Sequence, residues 1–489
     1  MSISLIKFEE ATFRKFQYTV FRDSFWEMHQ GENWAVTGAN GSGKTTFLEA
    51  LEGRLLKIKG QTHYNLTDSN GILARKPGSL IAAVYFNDHS VNYGDFYYQQ
   101  RYHATETEGI ITVRSFLGLA KNSTLPELEA LDIQRLLDME IIKLSNGQFK
   151  KMLIVKALLK KPRLLLLDNL YTGLDVRARA YISNTLSQIT DIGTQIVMVV
   201  NDGEIPGMIT HVMEIDKFAI SRLSTYGDYI IRHAGNGLPS SFPVIPELPE
   251  APAKAFETAV SLDETTITYD GNRVLDCIKW TIRQGEKWAL TGPNGAGKSM
   301  LLSLIFADNP QAYANKIILF DRQRGTGESI WDIKDNIGFV SPEMHVYFRH
   351  GKTCREVVMS GLHENPYKPP VIMAEITGIM EGLFKYFSMT QFVDAFFHRI
   401  STGQQNIVLL IRAMLKNPPM LVLDEPFQGL DTLSVEQARR LLDTFCSKRT
   451  LIFVSHHPAE IPSCVTQHLS IENGCVKVQD RFVHRDEGS

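Results

Sequence analysis

Cysteine is scarce in this chain, and long apolar runs are absent. The five cysteines, Cys277, Cys354, Cys446, Cys464 and Cys475, are odd in number, scattered and never spaced C-x-x-C. That excludes a disulfide framework and a thiolate metal site, and it points to a reduced, cytoplasmic protein. No apolar stretch reaches the roughly 18 residues of a membrane-spanning helix. The opening residues, Met1 to Glu10, have too short an apolar stretch and too early a pair of acids for a signal peptide. Charge of one sign is lacking too: the net value is −3 over 489 residues, so nothing general draws the chain to nucleic acid or anionic lipid. Charged residues at 21% and hydrophobic ones at 44% are those of a soluble globular protein.

Against that plain background stand two glycine-rich runs, Gly38-Ala39-Asn40-Gly41-Ser42-Gly43-Lys44-Thr45 and Gly292-Pro293-Asn294-Gly295-Ala296-Gly297-Lys298-Ser299. Both read G-x-x-x-x-G-K-[ST], a loop that cradles phosphates. Each follows a strand-like run (Trp34-Ala35-Val36; Trp288-Ala289-Leu290) and opens a helix (Thr46-Phe47-Leu48; Met300-Leu301-Leu302). Glycine lets backbone N–H groups approach phosphate oxygens, and the helix N-terminus favours the anion. Lys44 and Lys298 are placed to reach the β- and γ-phosphates, and the Thr45 and Ser299 hydroxyls to hold Mg²⁺. The chain is therefore expected to bind two nucleoside triphosphates.

The loops belong to a longer repeat. Trp26 to Glu32 recurs as Trp280 to Glu286, and the loop lysines, 44 and 298, are 254 apart. Leu144-Ser145-Asn146-Gly147-Gln148 recurs as Ile400-Ser401-Thr402-Gly403-Gln404, and Leu164 to Asp168 as Met420 to Asp424, both at an offset of 256. One domain has been duplicated. Between the copies lie Pro239, Pro243, Pro246, Pro249 and Pro252, a density that precludes helix and favours extended chain. The expected division is a domain over 1–233, a linker over 234–256 and a second domain over 257–489. Short apolar runs such as Gln195 to Val200 and Arg449 to Val454 suit buried parallel strands. Helical stretches such as Gln404–Leu415 alternate with them. The expected fold is α/β, with a mainly parallel core sheet in each copy. Helix-like segments at Ile111–Leu119 and Val357–Gly361 suggest a helical subdomain.

The ordered set in each half is a phosphate loop, then [LI]-S-x-G-Q, then four apolar residues and Asp, with 23 positions from Ser145 to Asp168 and from Ser401 to Asp424. This set resembles the ATP-binding cassette ATPases, and the likeness covers nearly the whole chain. It implies two cassettes paired head to tail within one chain, so that a monomer suffices. ATP is the implied substrate and Mg²⁺ the cofactor. Each ATP would lie between one phosphate loop and the serine motif of the other half. The resemblance makes Gly38, Asn40, Gly41, Ser42, Gly43, Lys44, Thr45 and Thr46 one set of ATP contacts. Gly292, Asn294, Gly295, Ala296, Gly297, Lys298, Ser299 and Met300 make the other. Ser145, Gly147, Gln148, Ser401, Gly403 and Gln404 would contact ATP from across. A serine hydroxyl and glycine-permitted N–H groups at a helix start form an anion site; the same serine also serves as a helix cap. An adenine-stacking aromatic is implied upstream of each loop. Tyr269 matches it, whereas Lys15 falls there in the first half, leaving Phe13 or Phe16 to substitute.

The two halves are unequal. Asp424 is followed by Glu425, and His456 lies downstream. The likeness assigns Asp424 to Mg²⁺, Glu425 to the attacking water and His456 to the γ-phosphate. Glu425, His456 and Lys298 are then the catalytic set. In the first half Asp168 is kept for the metal, but Asn169 replaces the glutamate and Asn201 the histidine. A carboxamide copies a carboxylate's shape and cannot take its proton. Hydrolysis is expected on the second half and long-lived ATP on the first.

Other departures bear on coupling. Neither Ser341-Pro342-Glu343 nor Phe86-Asn87-Asp88 holds the glutamine that in the family senses a membrane partner. Met300 stands where a hydroxyl residue is usual. Gly327 to Lys334, Ser455-His456-His457, Asn169 and Asn201 resemble the molybdate-transport-associated, photorepair-like tandem cassettes. That implies a cytoplasmic protein, or a peripheral one at the inner face of the plasma membrane, serving a transmembrane permease on a separate chain. The alternative is a tandem ATPase acting on ribosome or nucleic acid. Such proteins usually keep both glutamates and carry a long charged helical linker, which this chain lacks.

Overall fold

In the computed structural model, placement is described for residues 3–67, 73, 77–85, 111–120, 128, 131, 133–141, 144, 146–171, 174, 176–191, 193–200, 205–233, 242–252, 256–269, 271–342, 344–348, 351–363 and 374–482. Ser145, Asn201, Phe86, Asn87, Asp88 and Glu343 lie outside them. The chain divides into two units, Met1–Leu238 and Pro239–Ser489.

In the first unit, strands β1 (Ser4–Lys15), β2 (Tyr18–His29) and β4 (Leu56–Tyr64) form an antiparallel sheet of order β2-β1-β4. The core sheet combines β3 (Trp34–Thr37), β5 (Ile81–Tyr85), β6 (Leu164–Asp168), β7 (Gln195–Val199), β8 (His211–Asp216) and β9 (Ala219–Thr225) in the order β5-β6-β7-β3-β8-β9. All its pairings are parallel except β8 with β9. The strands are continuous apolar runs because both faces are covered. Every residue of β6, Leu-Leu-Leu-Leu-Asp, is buried, as is every residue of β7. Each such leucine contributes about 1.5–3 kcal/mol on burial.

The second unit repeats this plan. Its antiparallel sheet runs β11-β10-β13-β14, from β10 (Thr258–Tyr269), β11 (Asn272–Arg283), β13 (Lys316–Leu319) and β14 (Arg322–Gln323). Its core sheet uses β12 (Lys287–Thr291), β15 (Ile337–Val340), β16 (Met420–Asp424), β17 (Thr450–Val454), β18 (Gln467–Glu472) and β19 (Cys475–Arg481), ordered β15-β16-β17-β12-β18-β19. In each core sheet the strand entering the phosphate loop lies between the strand after the buried aspartate and the final hairpin. Ligands of such sheets bind beyond the strands' C-terminal ends at this kind of reversal.

Each phosphate-loop strand carries a tryptophan at or next to its start, braced by another. Trp26 and Trp34 pack edge to face at 5.6 Å and 78°, and Trp280 and Trp288 at 5.6 Å and 80°. Trp34 Nε1 donates to Glu32 at 3.0 Å, and Trp288 Nε1 donates to Glu286 at 2.9 Å. Phe47, on the helix Lys44–Glu52, packs on Trp26 at 5.3 Å and on Phe21 at 5.5 Å, locking the loop's helix between the two sheets.

The helical segments are shorter than the sequence suggests at one place and longer at another. Val113–Leu117 is helical, capped by Thr112. Cys354–Met359, with a Thr353–Glu356 capping box, continues into a tighter turn over Ser360–His363. The described part of the Pro-rich segment is extended and packs on the second unit. Ile245 and Leu248 lie against its core. The Arg440 guanidinium stacks 3.8 Å from the Phe242 ring centre. Buried Arg449 donates to the Pro249 carbonyl at 2.8 Å and to Asn417 Oδ1 at 2.5 Å, while Asn417 Nδ2 donates to the Glu250 carbonyl at 3.1 Å.

Candidate nucleotide sites

Each phosphate loop takes its shape from glycines in left-handed conformations. Gly38, Gly41 and Gly43 have φ of 137°, 79° and 110°, and Gly292, Gly295 and Gly297 have 146°, 81° and 103°. A β-carbon on Gly38 would lie 2.2 Å from the Ile215 carbonyl oxygen, and one on Gly292 2.1 Å from that of Ile471, so only glycine lets β8 and β18 pass so close. The loop lysines curl the same way. Lys44 Nζ donates to the carbonyls of Gly38 (2.5 Å) and Ala39 (3.0 Å), and Lys298 Nζ to those of Gly292 (2.7 Å) and Pro293 (3.0 Å). Both ammoniums are thus held by carbonyls of their own loop.

Beside each lysine a hydroxyl meets a buried aspartate. Thr45 Oγ1 donates to Asp168 Oδ2 at 2.8 Å, and Ser299 Oγ to Asp424 Oδ2 at 3.4 Å. Burial pushes the carboxyl of Asp168 up to about 6, against the pull of Thr45 and Lys44. Burial pushes Asp424 up to about 6 as well, against Lys298 and Ser299. Asp168 Oδ1 is buried and accepts no hydrogen bond among the described residues. A hydroxyl beside a carboxylate suits a hard divalent cation, and in the first unit the second carboxylate oxygen, Asp168 Oδ1, is left without a donor among the described residues. Among the described residues no group of three or more acidic, histidine or cysteine side chains is arranged to hold a metal ion by itself. Mg²⁺ suits such a sparse donor set, since phosphate oxygens and water complete its shell. It would neutralise charge on the phosphates.

The second unit adds the groups for hydrolysis. Strand β16 ends at Asp424, and Glu425 follows in a left-handed conformation, held by its N–H donating to the Val454 carbonyl at 3.0 Å. Strand β17, paired to β16, delivers His456. The His456 Nε2 lies 3.4 Å from Lys298 Nζ and 3.5 Å from Glu425 Oε1. Lysine and glutamate therefore meet at the histidine ring. Burial holds the Glu425 carboxyl well above the ordinary range, and the charges of Asp424 and Glu460 add to this. Glu460 is a participant that the motifs do not reveal. It accepts from Ser455 Oγ at 2.6 Å, and Ser455 Oγ in turn accepts from His457 N–H at 3.0 Å, fixing the turn that carries His456. In the first unit Asn169 follows Asp168 in the same left-handed conformation.

The remaining candidates fall out as follows. Ser401 caps the helix Thr402–Leu415 in a reciprocal box: its Oγ accepts from Gln404 N–H at 3.3 Å, and Gln404 Oε1 accepts from Ser401 N–H at 2.9 Å. Gly403 lies in that helix's first turn, with the Gly429 backbone close by. Gly147 and Gln148 open the matching helix Asn146–Leu158. The thioether of Met300 is turned to Asn309, whose Nδ2 is 3.0 Å from its sulfur, so the side chain is directed away from the loop. Tyr269 ends β10, half-buried at the hairpin beside the second loop. In the first unit Lys15 is held by Glu49 at 2.5 Å and Thr46 at 3.3 Å. Phe13 is buried in the core at 3% exposure, whereas Phe16, at the hairpin tip, is 86% exposed. Of the two aromatics left open by the sequence, Phe16 alone presents a ring face.

The chain resembles known proteins over most of its length. The family described as ABC transporter matches residues 21–172 and again residues 275–428. The chain belongs to that family. It is 33% identical over 488 residues to an uncharacterized ABC transporter ATP-binding protein of Schizosaccharomyces pombe, covering 96% of this chain and 98% of that one. It is 30% identical over 481 residues to the ABC transporter ATP-binding protein ModF of Escherichia coli, covering 96% of each. Among solved structures it resembles a model of ribosome-bound archaeal Pelota and ABCE1, at TM-score 0.63, 18% identity and 97% coverage of this chain, 78% of that one. It also resembles the RNase-L Inhibitor, at TM-score 0.57, 17% identity and 97% and 91% coverage. As an ABC ATPase with tandem cassettes, the chain is an ATP-hydrolysing P-loop enzyme. Among the described residues no helix is long and apolar enough to cross a membrane.

Proposed function

We propose that the chain binds two Mg-ATP, hydrolyses the one at Lys298, and retains the one at Lys44. The family resemblance adds Ser145 and Ser401, with their serine motifs, to the ATP contacts. The observation that carries this reading is that Lys298 and Glu425 both lie within 3.5 Å of His456 Nε2. Asn169 stands where Glu425 would be needed in the other half. Phosphoryl transfer depends on positioning and charge, and Glu425 supplies a carboxylate able to accept the water's proton, which Asn169 does not.

The cellular role proposed is the ATP-binding component of a transport system of the molybdate type, acting on a separate permease. Its support is the 30% identity to ModF across 96% of both chains. A role on the ribosome is the second reading, suggested by the ribosome-bound structural neighbour. The extended, docked segment 242–252 speaks against it, because translation-type cassettes join their halves by a charged helix.

The test uses the purified full chain. ATP hydrolysis should proceed without any membrane protein at a rate first order in protein. A rate rising as the square of concentration would mean that two chains pair, and would overturn the reading that a single chain suffices. A Glu425→Gln chain loaded with Mg-ATP should then co-sediment with membrane fractions carrying a permease. Recovery with ribosomes instead would replace the transport reading by the second one.

A further inference from the structure

The offset of 256 that aligns Asp168 with Asp424 also aligns Lys217-Phe218 with Asn473-Gly474. Both pairs form the two-residue turn of the final hairpin, β8–β9 and β18–β19. Both are left-handed at both positions: φ is 46° and 60° in the first unit, 48° and 75° in the second. Asn-Gly is the pair that such a turn prefers; Lys-Phe is among the worst, since each β-carbon crowds its own backbone. The first unit therefore keeps an unfavourable phenylalanine.

Main-chain bonding does not account for it. The Phe218 N–H donates to the Ser42 carbonyl at 2.7 Å, and the Phe218 carbonyl accepts from Phe21 N–H at 2.8 Å. Gly474 makes the matching pair, donating to the Ala296 carbonyl at 3.1 Å and accepting from Asp276 N–H at 2.9 Å. Glycine docks the turn on the phosphate loop equally well, so what phenylalanine adds is its ring. That ring lies against Gly43, where a β-carbon would be 2.7 Å from Phe218 Cδ1. Gly43 is the left-handed residue immediately before the Lys44–Glu52 helix. In the second unit the equivalent glycine, Gly297, is backed instead by Leu275, a fully buried core residue on β11, and a side chain at Gly474 would strike the Val274 carbonyl at 2.5 Å. Phe218 is 39% exposed, so the loop itself is its main support.

We propose that Phe218 is a positioning residue: its ring wedges behind Gly43, stiffens the first phosphate loop and slows nucleotide release from that site. This rests on the reading that Lys44 belongs to the retaining site. The loop's N–H groups hold phosphate oxygens only while Gly43 keeps its left-handed conformation. Release needs those donors to diverge, and a ring packed behind the glycine opposes that motion. Glycine at 218 would keep the hydrogen bonds and lose the brake.

The test uses the full chain carrying Lys298→Ala, so that only the first site loads. It is charged with N-methylanthraniloyl-ATP and Mg²⁺, chased with excess ATP, and followed by stopped-flow fluorescence. Phe218→Gly should speed release on the order of tenfold, the factor given by about 1.4 kcal/mol. Phe218→Asn, which also suits a left-handed turn, should do the same, and Phe218→Tyr should retain slow release. The thermal midpoint without nucleotide should not fall in Phe218→Gly, which separates loss of the wedge from loss of fold. Release at the parent rate in both the Gly and the Asn variants overturns the proposal. The parent's release rate against that of a Lys44→Ala chain tests the retaining-site reading separately. A first site that releases as fast as the second, yet is accelerated further by Phe218→Gly, would sink that reading and leave the wedge standing.

Discussion

Asn169 and Glu425 occupy one position in two copies of a fold, each directly after a buried aspartate, at φ 53° and 48°. Asparagine tolerates that left-handed conformation far better than glutamate does. The second unit therefore holds a residue that suits its backbone poorly and its chemistry well, and the first unit holds the reverse. Strain of this kind persists where function needs it.

Glu425→Gln should abolish most turnover while leaving ATP binding intact, and Asn169→Gln should change little. Loss of a positioned base costs about 10²–10⁴ in rate. A steady-state phosphate-release assay decides it: equal losses from the two variants would refute one-sided hydrolysis.

The acid limb of turnover should report Glu425. A base works only when deprotonated, and burial together with Asp424 and Glu460 holds this carboxyl above the ordinary range. Activity should therefore fall as pH drops through that raised value. Glu460→Gln removes one of the charges raising it, so the limb of the kcat–pH profile should move to lower pH. A limb that stays in place, or moves up, would assign it to another group.

The buried aspartates make the nucleotide-free chain pH-sensitive in a defined direction. Burial pushes the carboxyls of Asp168 and Asp424 up to about 6 from an ordinary 3.8. The folded state binds these protons more tightly, so their stabilising effect is complete at low pH and is lost as pH rises through about 6. Asp168→Asn should then stabilise the nucleotide-free chain at pH 7.5 by on the order of 1–3 kcal/mol, seen as a raised thermal midpoint. It should also reduce the added stabilisation by Mg-ATP. A lowered midpoint without nucleotide would contradict the burial argument.

The two loop lysines should differ in consequence. Lys298→Ala should stop turnover, whereas Lys44→Ala should leave a single-site chain that still hydrolyses at a reduced rate. Nucleotide counted after rapid desalting in Mg-ATP should drop sharply in Lys44→Ala and modestly in Lys298→Ala. The opposite order would reverse the assignment of retaining and hydrolysing sites.

Arg449→Met should destabilise the second unit by about 2–4 kcal/mol, because it strips donors from the Phe445 and Pro249 carbonyls and from Asn417. Limited proteolysis should then cut within 242–252 at sites that the parent protects. Unchanged cleavage would mean that the segment's docking does not depend on Arg449.

What the sequence made legible was whatever is fixed by local spacing. The phosphate loops, the buried aspartates and the glutamate–asparagine difference are each read within a few residues of a motif, and the parallel strands announce themselves as apolar runs ending in Asp. What stayed hidden depends on contacts across long separations. Lys15 falls where an aromatic is expected, and only packing shows that Glu49 and Thr46 hold it, that Phe13 is spent in the core and that Phe16 is free to face a base. Glu460 acts on Glu425 through burial and charge, which no spacing rule reports. Prolines predict extended chain over 242–252, but the carbonyls that dock it are sequence-blind. Phe218 does carry a signal in the sequence: the repeat places it opposite a glycine, and such exchanges in a left-handed turn are seldom neutral.

Of the chain's five tryptophans, four are the matched edge-to-face pairs Trp26–Trp34 and Trp280–Trp288, and the fifth is Trp331. Trp34 lies on the strand running into Gly38, and Trp288 on the strand running into Gly292. The duplication has thus wired one native fluorophore pair to each nucleotide site. Replacing Trp280, Trp288 and Trp331 with phenylalanine leaves an emission that answers only to the Lys44 site; replacing Trp26, Trp34 and Trp331 leaves one that answers only to the Lys298 site. Each half of the protein can then be watched alone, in the intact chain and without a label.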